Sequence, residues 1–246
     1  MKLFQRIFFA AVLSGLAAGL AMSALQQWKV APLILVAEAY EAAAPAHEHA
    51  DAAARADGHV HGPEAWAPQD GLERTSFTVL ANLLTSIGFA LLLAAMSVLS
   101  GIGITARNGA LWGLGGFIAF QLAPAVGLPP ELPGMAAAEL GARQLWWWGT
   151  ALSTGAGLLA VAKFRNSAAT GLAVLLILAP HIIGAPQLAA EHASAVPALL
   201  ASGFAAATLA TSAVFWLLSG PLLGWFSDRF ARHEAHSSRA SPAVTG

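Results

Sequence analysis

The sequence contains no cysteine and few charged residues. Without cysteine the chain can form neither a disulfide bond nor a thiolate metal site, so any metal ligand must be a nitrogen or oxygen atom. Charged residues make up 10% of the 246 residues, against roughly 25% in soluble domains, while hydrophobic residues make up 57%. The 12 basic and 13 acidic residues leave no basic excess for binding nucleic acid. This composition indicates an integral membrane protein that contacts the lipid bilayer.

Uncharged runs of about twenty residues are long enough to cross a bilayer as helices. We therefore predict an all-α membrane protein with about six transmembrane helices in one integral membrane domain, residues 1–246. The count falls to five if the first run is a cleaved signal peptide or if one segment is re-entrant, although this run is longer than a typical signal core. The predicted spans are residues 7–28, 75–100, 109–128, 145–162 and 167–183, with a sixth inside 193–227.

Basic residues near the span ends predict the orientation, because Lys and Arg collect on the cytoplasmic side of a membrane. With both termini in the cytoplasm, eight basic residues are cytoplasmic and four are not. This orientation makes residues 228–246 a cytoplasmic tail and residues 29–74 an extracytoplasmic loop. Eleven of the 13 acidic residues then lie on the outer face, which makes that face attractive to cations.

The predicted outer loop is rich in histidine and acidic residues. His47, His49, His59 and His61 form two His-x-His pairs, and alternate side chains share one face of an extended chain. Imidazole and carboxylate groups suit divalent cobalt, nickel, zinc or copper, and their affinities alone do not select cobalt. We predict a divalent-metal collector. The alternative is an alanine-rich linker whose histidines have no role.

Two further ionisable residues are candidates for an ion path. His181 lies in the outer half of the fifth predicted span, between Pro180 and Pro186, and polar groups at that depth are costly unless they serve a purpose. The alternative is a hydrogen bond from this histidine to a neighbouring helix. Glu131 lies in the stiff segment GLPPELPG near the outer membrane surface. Glu139 and Arg143 are four residues apart, a spacing that favours an ion pair.

Glycine and tryptophan residues predict packing and membrane contacts. Gly15 and Gly19 form a GxxxG pair, and Gly109, Gly113 and Gly116 recur at helical spacing, which lets helices approach closely in lipid. Three consecutive tryptophans at the outer end of the fourth predicted span, residues 146–148, are typical of an interfacial aromatic belt.

Several segments resemble the cobalt transporter subunits of the CbtA type. They are LSGLAAGL, QQWKVAPLILVAEAYE with the histidine-rich loop, GGFIAFQLAPAVGLPPELPG, ARQLWWW and PHIIGAP, and together they cover nearly the whole chain. The resemblance implies a bacterial inner-membrane protein of cobalt uptake, associated with cobalamin synthesis, that acts beside a small single-span partner containing histidines. It also implies about five spans. The metal-site residues that it carries over are His47, His49, Glu131 and His181, with His59 and His61 in a more variable part.

Taken together, these features predict the membrane subunit of a divalent-metal uptake transporter, with cobalt as substrate and no prosthetic group. The alternative is a membrane assembly or scaffold protein whose loop binds a partner protein. An enzyme is not expected, because no HExxH motif is present, and the lack of a GxxxxGK[ST] phosphate loop means that ATP-driven transport would need a separate ATPase.

Overall fold

The computed structural model describes residues 2–43, 68–188 and 196–240. This part of the chain folds as seven helices and contains no strand. The seven helices are α1 Lys2–Lys29, α2 Ala31–Ala43, α3 Leu72–Ser100, α4 Gly109–Gly127, α5 Leu140–Phe164, α6 Ser167–Ile183 and α7 Ala198–Ala240.

Four of these helices are long and apolar enough to cross a membrane, namely α1, α3, α4 and α7. Helix α6 is apolar but has 17 residues, at the short end of the range for a spanning helix. Helix α5 is long enough, but its polar residues and its three tryptophans lower its mean hydropathy. All six predicted spans thus coincide with helices. The all-helical class is confirmed, and the count of six spans stays a prediction.

A bundle of α1, α3, α4 and α7 contains the main core. Phe89 from α3, Phe120 from α4, and Phe215 and Trp216 from α7 form its aromatic centre. The Phe120 and Trp216 rings are stacked, with centroids 5.7 Å apart and planes 10° apart. Because lipid supplies no hydrophobic drive for helix association, contacts of this kind stabilise the bundle by close packing.

Glycines set the separation of these helices, as their spacing predicts. A Cβ atom added at Gly15 would lie 2.6 Å from the Cα of Ile87 on α3, and one at Gly109 would lie 2.5 Å from the carbonyl oxygen of Gly220 on α7. No side chain larger than hydrogen fits at such distances. The packing role predicted for the glycine motifs is therefore confirmed.

Helix α4 contains a π-helical turn, Ile118–Leu122, directly before Pro124. Here the backbone N–H of Ala123 donates to the carbonyl of Ile118, five residues earlier. In a regular helix the proline ring would clash with the carbonyl of the residue four positions before it, and the wider turn relieves this clash.

Helices α5 and α6 form a hairpin that packs on the second half of α4. Arg165 ends α5 in the left-handed conformation, with φ of 50°, and the Asn166 side chain accepts a hydrogen bond from the backbone N–H of Ala169 at the start of α6. Gly157 lets α5 approach Ala173 of α6 closely, since an added Cβ would be 3.2 Å from its Cα.

Helix α2 and the end of α7 were not predicted as helices. Residues 31–43 fall inside the predicted loop 29–74, yet they form α2, because Leu33, Ile34 and Ala37 supply an apolar face. That face joins a second core cluster containing Val30, Ala37, Leu132, Val196 and Phe204. Helix α7 continues through the first part of the predicted tail and ends at Ala240.

Side-chain contacts place the helix ends in two groups. At one end, called here the basic end, Arg6 of α1 contacts Glu234 of α7 at 3.5 Å, and Asp228 of α7 accepts a hydrogen bond from Ala106 before α4. At the opposite end, called here the acidic end, Leu132 packs against the start of α2. This grouping agrees with the charge segregation seen in the sequence.

Candidate functional site

Arg74, at the acidic end, links residues that precede and follow the histidine-rich segment in the chain. Arg74, in the first turn of α3, binds both carboxylate oxygens of Glu38 on α2, with Nη1 to Oε2 at 3.1 Å, and also binds Asp70 at 3.0 Å. Glu38 precedes residues 44–67, and Asp70 and Arg74 follow them. The described residues before and after this segment are therefore in contact with each other. His47, His49, His59 and His61 all lie outside the described residues.

Glu131 is bound to Arg143 of α5, at 2.5 Å between Oε2 and Nη2. The side chains are 24% and 26% exposed. Leu132, next to Glu131, is buried against α2, so this pair lies at the same end of the molecule as the Glu38–Arg74 pair. Glu131 is thus a half-buried carboxylate already paired with a cation.

The predicted Glu139–Arg143 pair is wrong. Glu139 precedes α5 in an extended conformation and accepts hydrogen bonds from the backbone N–H groups of Gly141 at 2.7 Å and Ala142 at 2.6 Å. These hydrogen bonds to its charged form lower the pKa of Glu139. Glu139 does not form the i,i+4 pair because it caps the helix and is not part of its regular backbone.

His181 bridges α6 and α4. Its Nδ1 is 2.9 Å from the carbonyl oxygen of Ile177, in its own helix, and its Nε2 is 3.0 Å from the carbonyl oxygen of Ala123, next to the π-helical turn. When Nε2 carries the proton, the ring donates to Ala123 the hydrogen bond to a neighbouring helix that the sequence left as an alternative. Metal ligation would require the ring to leave one of these two carbonyls, because a ligand nitrogen must direct its lone pair at the ion.

Trp146 is not part of an interfacial belt. It is 9% exposed and donates a hydrogen bond from Nε1 to the carbonyl oxygen of Pro180 at 3.0 Å, and its ring covers Gly127. It also meets His181 edge to face, with centroids 5.8 Å apart. Trp148, 51% exposed, is the one of the three tryptophans whose exposure fits the belt best. Trp146 and Trp148 differ in exposure because two residues along a helix correspond to a rotation of about 200°, so their side chains lie on opposite faces of α5.

A cavity of about 330 Å³ opens beside the Glu131–Arg143 pair. Its wall includes Gln121 from the π-helical turn, Gln144 from α5, and the rings of Trp147 and Trp148. His181 does not line this cavity, which contains the other predicted path residue, Glu131. Within the described ranges, no three His, Asp or Glu side chains lie close enough together to hold a metal ion.

The sequence reasoning missed Gln121 and Gln144. The prediction considered ionisable groups only, although Gln121 lies inside an apolar run, where a neutral amide is itself costly in lipid. The proline three residues after Gln121 was the available signal, because a proline inside a span often marks a distorted turn.

The family model described as "Probable cobalt transporter subunit (CbtA)" matches residues 4–228, nearly the whole chain. Neither the curated proteins nor the solved structures contain a match.

Proposed function

This chain belongs to the CbtA family of cobalt transporter subunits, and from this membership we propose that it is the membrane subunit of a divalent-metal uptake transporter with cobalt as substrate. In this proposal the histidine-rich segment captures the ion outside the cytoplasm. The ion then passes to Glu131 and afterwards to His181. The chain itself has no enzymatic activity and works beside a small single-span partner in a bacterial inner membrane.

The observation that carries the capture role is the arrangement around the four loop histidines. Arg74 joins Glu38 to Asp70 across the segment that bears them, and the helix on which Glu38 lies packs beside Leu132. The residues that flank this segment lie at the same end of the molecule as Glu131, and in this proposal the captured ion therefore has a short path to that carboxylate. Tethering keeps the local concentration of captured ions high next to the receiving carboxylate.

The membrane potential is the energy source in this proposal. Moving one charge across 100 mV is worth about 2.3 kcal/mol, so a divalent ion gains roughly 4.6 kcal/mol on entering the cytoplasm. Acidic groups at the entrance offset the positive charge of the ion and so favour its capture. The membrane potential, negative inside, then favours release of the ion into the cytoplasm.

The test replaces the four loop histidines together with alanine, His47, His49, His59 and His61, and measures the uptake of radiolabelled cobalt by cells expressing the protein. We expect uptake at sub-saturating cobalt to fall by about tenfold or more, because imidazole is the strongest neutral ligand in the segment. Protein abundance in the membrane is measured in parallel. Competition with nickel in the wild type then ranks the two metals.

The matched control replaces the two histidines at the basic end, His233 and His236, with alanine. His236 is exposed and contacts the carbonyl of Arg232 in its own helix, at 2.8 Å, and this variant should take up cobalt as the wild type does. Unchanged uptake in the four-histidine variant at normal abundance would remove the capture role and favour a loop that binds a partner protein.

A further inference from the structure

We infer that the cavity beside Glu131 is a binding site for a hydrated divalent cation and that Arg143 is a tethered counter-cation, which occupies Glu131 when the site is empty and leaves it when the ion enters. The inference rests on the proposed function, since it concerns the carboxylate to which the loop delivers its ion. It adds three residues that the proposal does not use, Arg143, Gln121 and Gln144.

The contact between Arg143 and Glu131 is a single hydrogen bond. One guanidinium nitrogen, Nη2, reaches one carboxylate oxygen, while Nε is buried without a hydrogen-bond partner. Arg74 provides the contrast at the same end of the molecule, since it binds both oxygens of Glu38 and a second carboxylate. A guanidinium has five N–H donors, and two-point binding to a carboxylate is its strong mode. Arg143 is therefore held to carboxylates by one hydrogen bond, against three for Arg74.

The cavity supplies oxygen ligands around this carboxylate. The side chains of Gln121 and Gln144 line it together with Glu131, and each amide has one carbonyl oxygen that can accept hydrogen bonds or bind a cation. Oxygen donors of this kind bind divalent ions that keep part of their water shell. A volume of about 330 Å³ is far above the roughly 10–15 Å³ that one water molecule needs on the same measure. The cavity has room for a hydrated ion.

Electrostatic repulsion favours exchange of Arg143 for the divalent ion at Glu131 over binding of both at once. A guanidinium and a divalent ion on one carboxylate would repel each other in a half-buried environment where screening is weak. The Arg143 side chain is flexible, and the rings of Trp147 and Trp148 in the cavity wall offer faces on which a displaced guanidinium can stack. Return of Arg143 to Glu131 then helps expel the ion, so that the site passes cations on and does not store them.

The experiment isolates this site from the loop. The background protein is the full-length chain in lipid nanodiscs with His47, His49, His59 and His61 all replaced by alanine, so that the loop does not bind the metal. Four further substitutions are made singly in this background, and the equilibrium binding of radiolabelled cobalt is measured for each. We expect Arg143→Gln to bind cobalt about fivefold more tightly, because the part-exposed ion pair that competes with the cation for Glu131 is lost. Arg143→Lys keeps the charge and should stay within about twofold of the background. Glu131→Gln should abolish binding at this site. Gln144→Leu should weaken it.

A gain in affinity distinguishes exchange from a structural role, because damage to the fold does not tighten a binding site. Arg107→Gln is the control for loss of one positive charge, since Arg107 lies at the basic end and is exposed. Its cobalt affinity should not change. The inference fails if Arg143→Gln leaves the affinity unchanged or lowers it while Glu131→Gln abolishes binding, and delivery to Glu131 then still stands. If Glu131→Gln does not reduce cobalt binding, both this inference and the transfer of the ion to Glu131 are wrong. Capture by the loop is tested separately, by the uptake experiment.

Discussion

His181 shows how one side chain can hold three helices together. It reaches the carbonyl of Ala123 on α4, and Trp146 from α5 both contacts its ring and donates to the carbonyl of the preceding Pro180. Helices α4, α5 and α6 therefore meet at one polar junction. In lipid the alternative to these contacts is an unsatisfied polar group, so the junction stabilises the protein even when no metal is present.

This role leads to a prediction for His181→Ala. The variant should lose about 1 kcal/mol of stability, the typical value of a hydrogen bond between transmembrane helices. The measurement is thermal unfolding of purified protein in detergent with a chelator present. His236→Ala, which loses only a contact within its own helix, should unfold at the wild-type temperature.

The same experiment separates the tie between helices from a metal-ligand role. If His181 is only a ligand, the wild type and His181→Ala unfold at the same temperature in chelator and differ only after cobalt is added. A difference in chelator that persists with cobalt indicates the structural tie.

At the residue scale, the sequence identified Glu131 and His181 as ionisable groups close to the membrane but not their partners. Partners depend on how α4, α5 and α6 pack, and spacing along one helix does not report this. Arg143 illustrates the point, since its predicted partner was the nearest acidic residue in sequence while its observed partner is 12 positions away. The roles of His47, His49, His59 and His61 stay predictions, because these residues lie outside the described part of the chain.

At the scale of helices, α4 packs against α7 through glycines that leave no space for a side chain. A Cβ at Gly113 would collide with the backbone of Trp216, lying 3.0 Å from its carbonyl carbon. Gly115, two residues further along the same helix, would direct a Cβ into open space. One face of α4 thus requires glycine and the other does not.

We predict that Gly113→Ala destabilises the protein by roughly 1–3 kcal/mol, the usual cost of inserting atoms into a packed contact. Gly115→Ala is the matched control, and it should be neutral or slightly stabilising because alanine favours a helix over glycine. Thermal unfolding of both variants in detergent measures the difference. Equal unfolding temperatures would mean that α4 and α7 are not in close contact.

Hydrophobic length predicted the helices well because each long apolar run must satisfy its own backbone in lipid. It missed α2, which has 13 residues and is too short to register as a span. It also missed the π-helical turn, although Pro124 is visible in the sequence and a proline inside a span often marks a distorted turn.

At the scale of the whole molecule, charge and contacts divide the protein into two ends. Arg6 near the amino terminus contacts Glu234 near the carboxyl terminus, so the first and last helices end on the same side. The Glu38–Arg74 and Glu131–Arg143 pairs mark the opposite side. Eight of the 12 basic residues are expected at the first end, and the positive-inside rule assigns that end to the cytoplasm.

The absence of cysteine makes this orientation testable with single substitutions. Ala53→Cys lies in the histidine-rich segment and Ser238→Cys lies near the carboxyl terminus. In intact spheroplasts a membrane-impermeant maleimide should label the first variant and leave the second unlabelled, and permeabilisation should expose the second. The wild type, which has no thiol, gives the background. The opposite labelling pattern would place the histidine-rich segment in the cytoplasm. Its histidines would then meet an ion only after the ion had crossed the membrane, so this segment could not capture ions before transport.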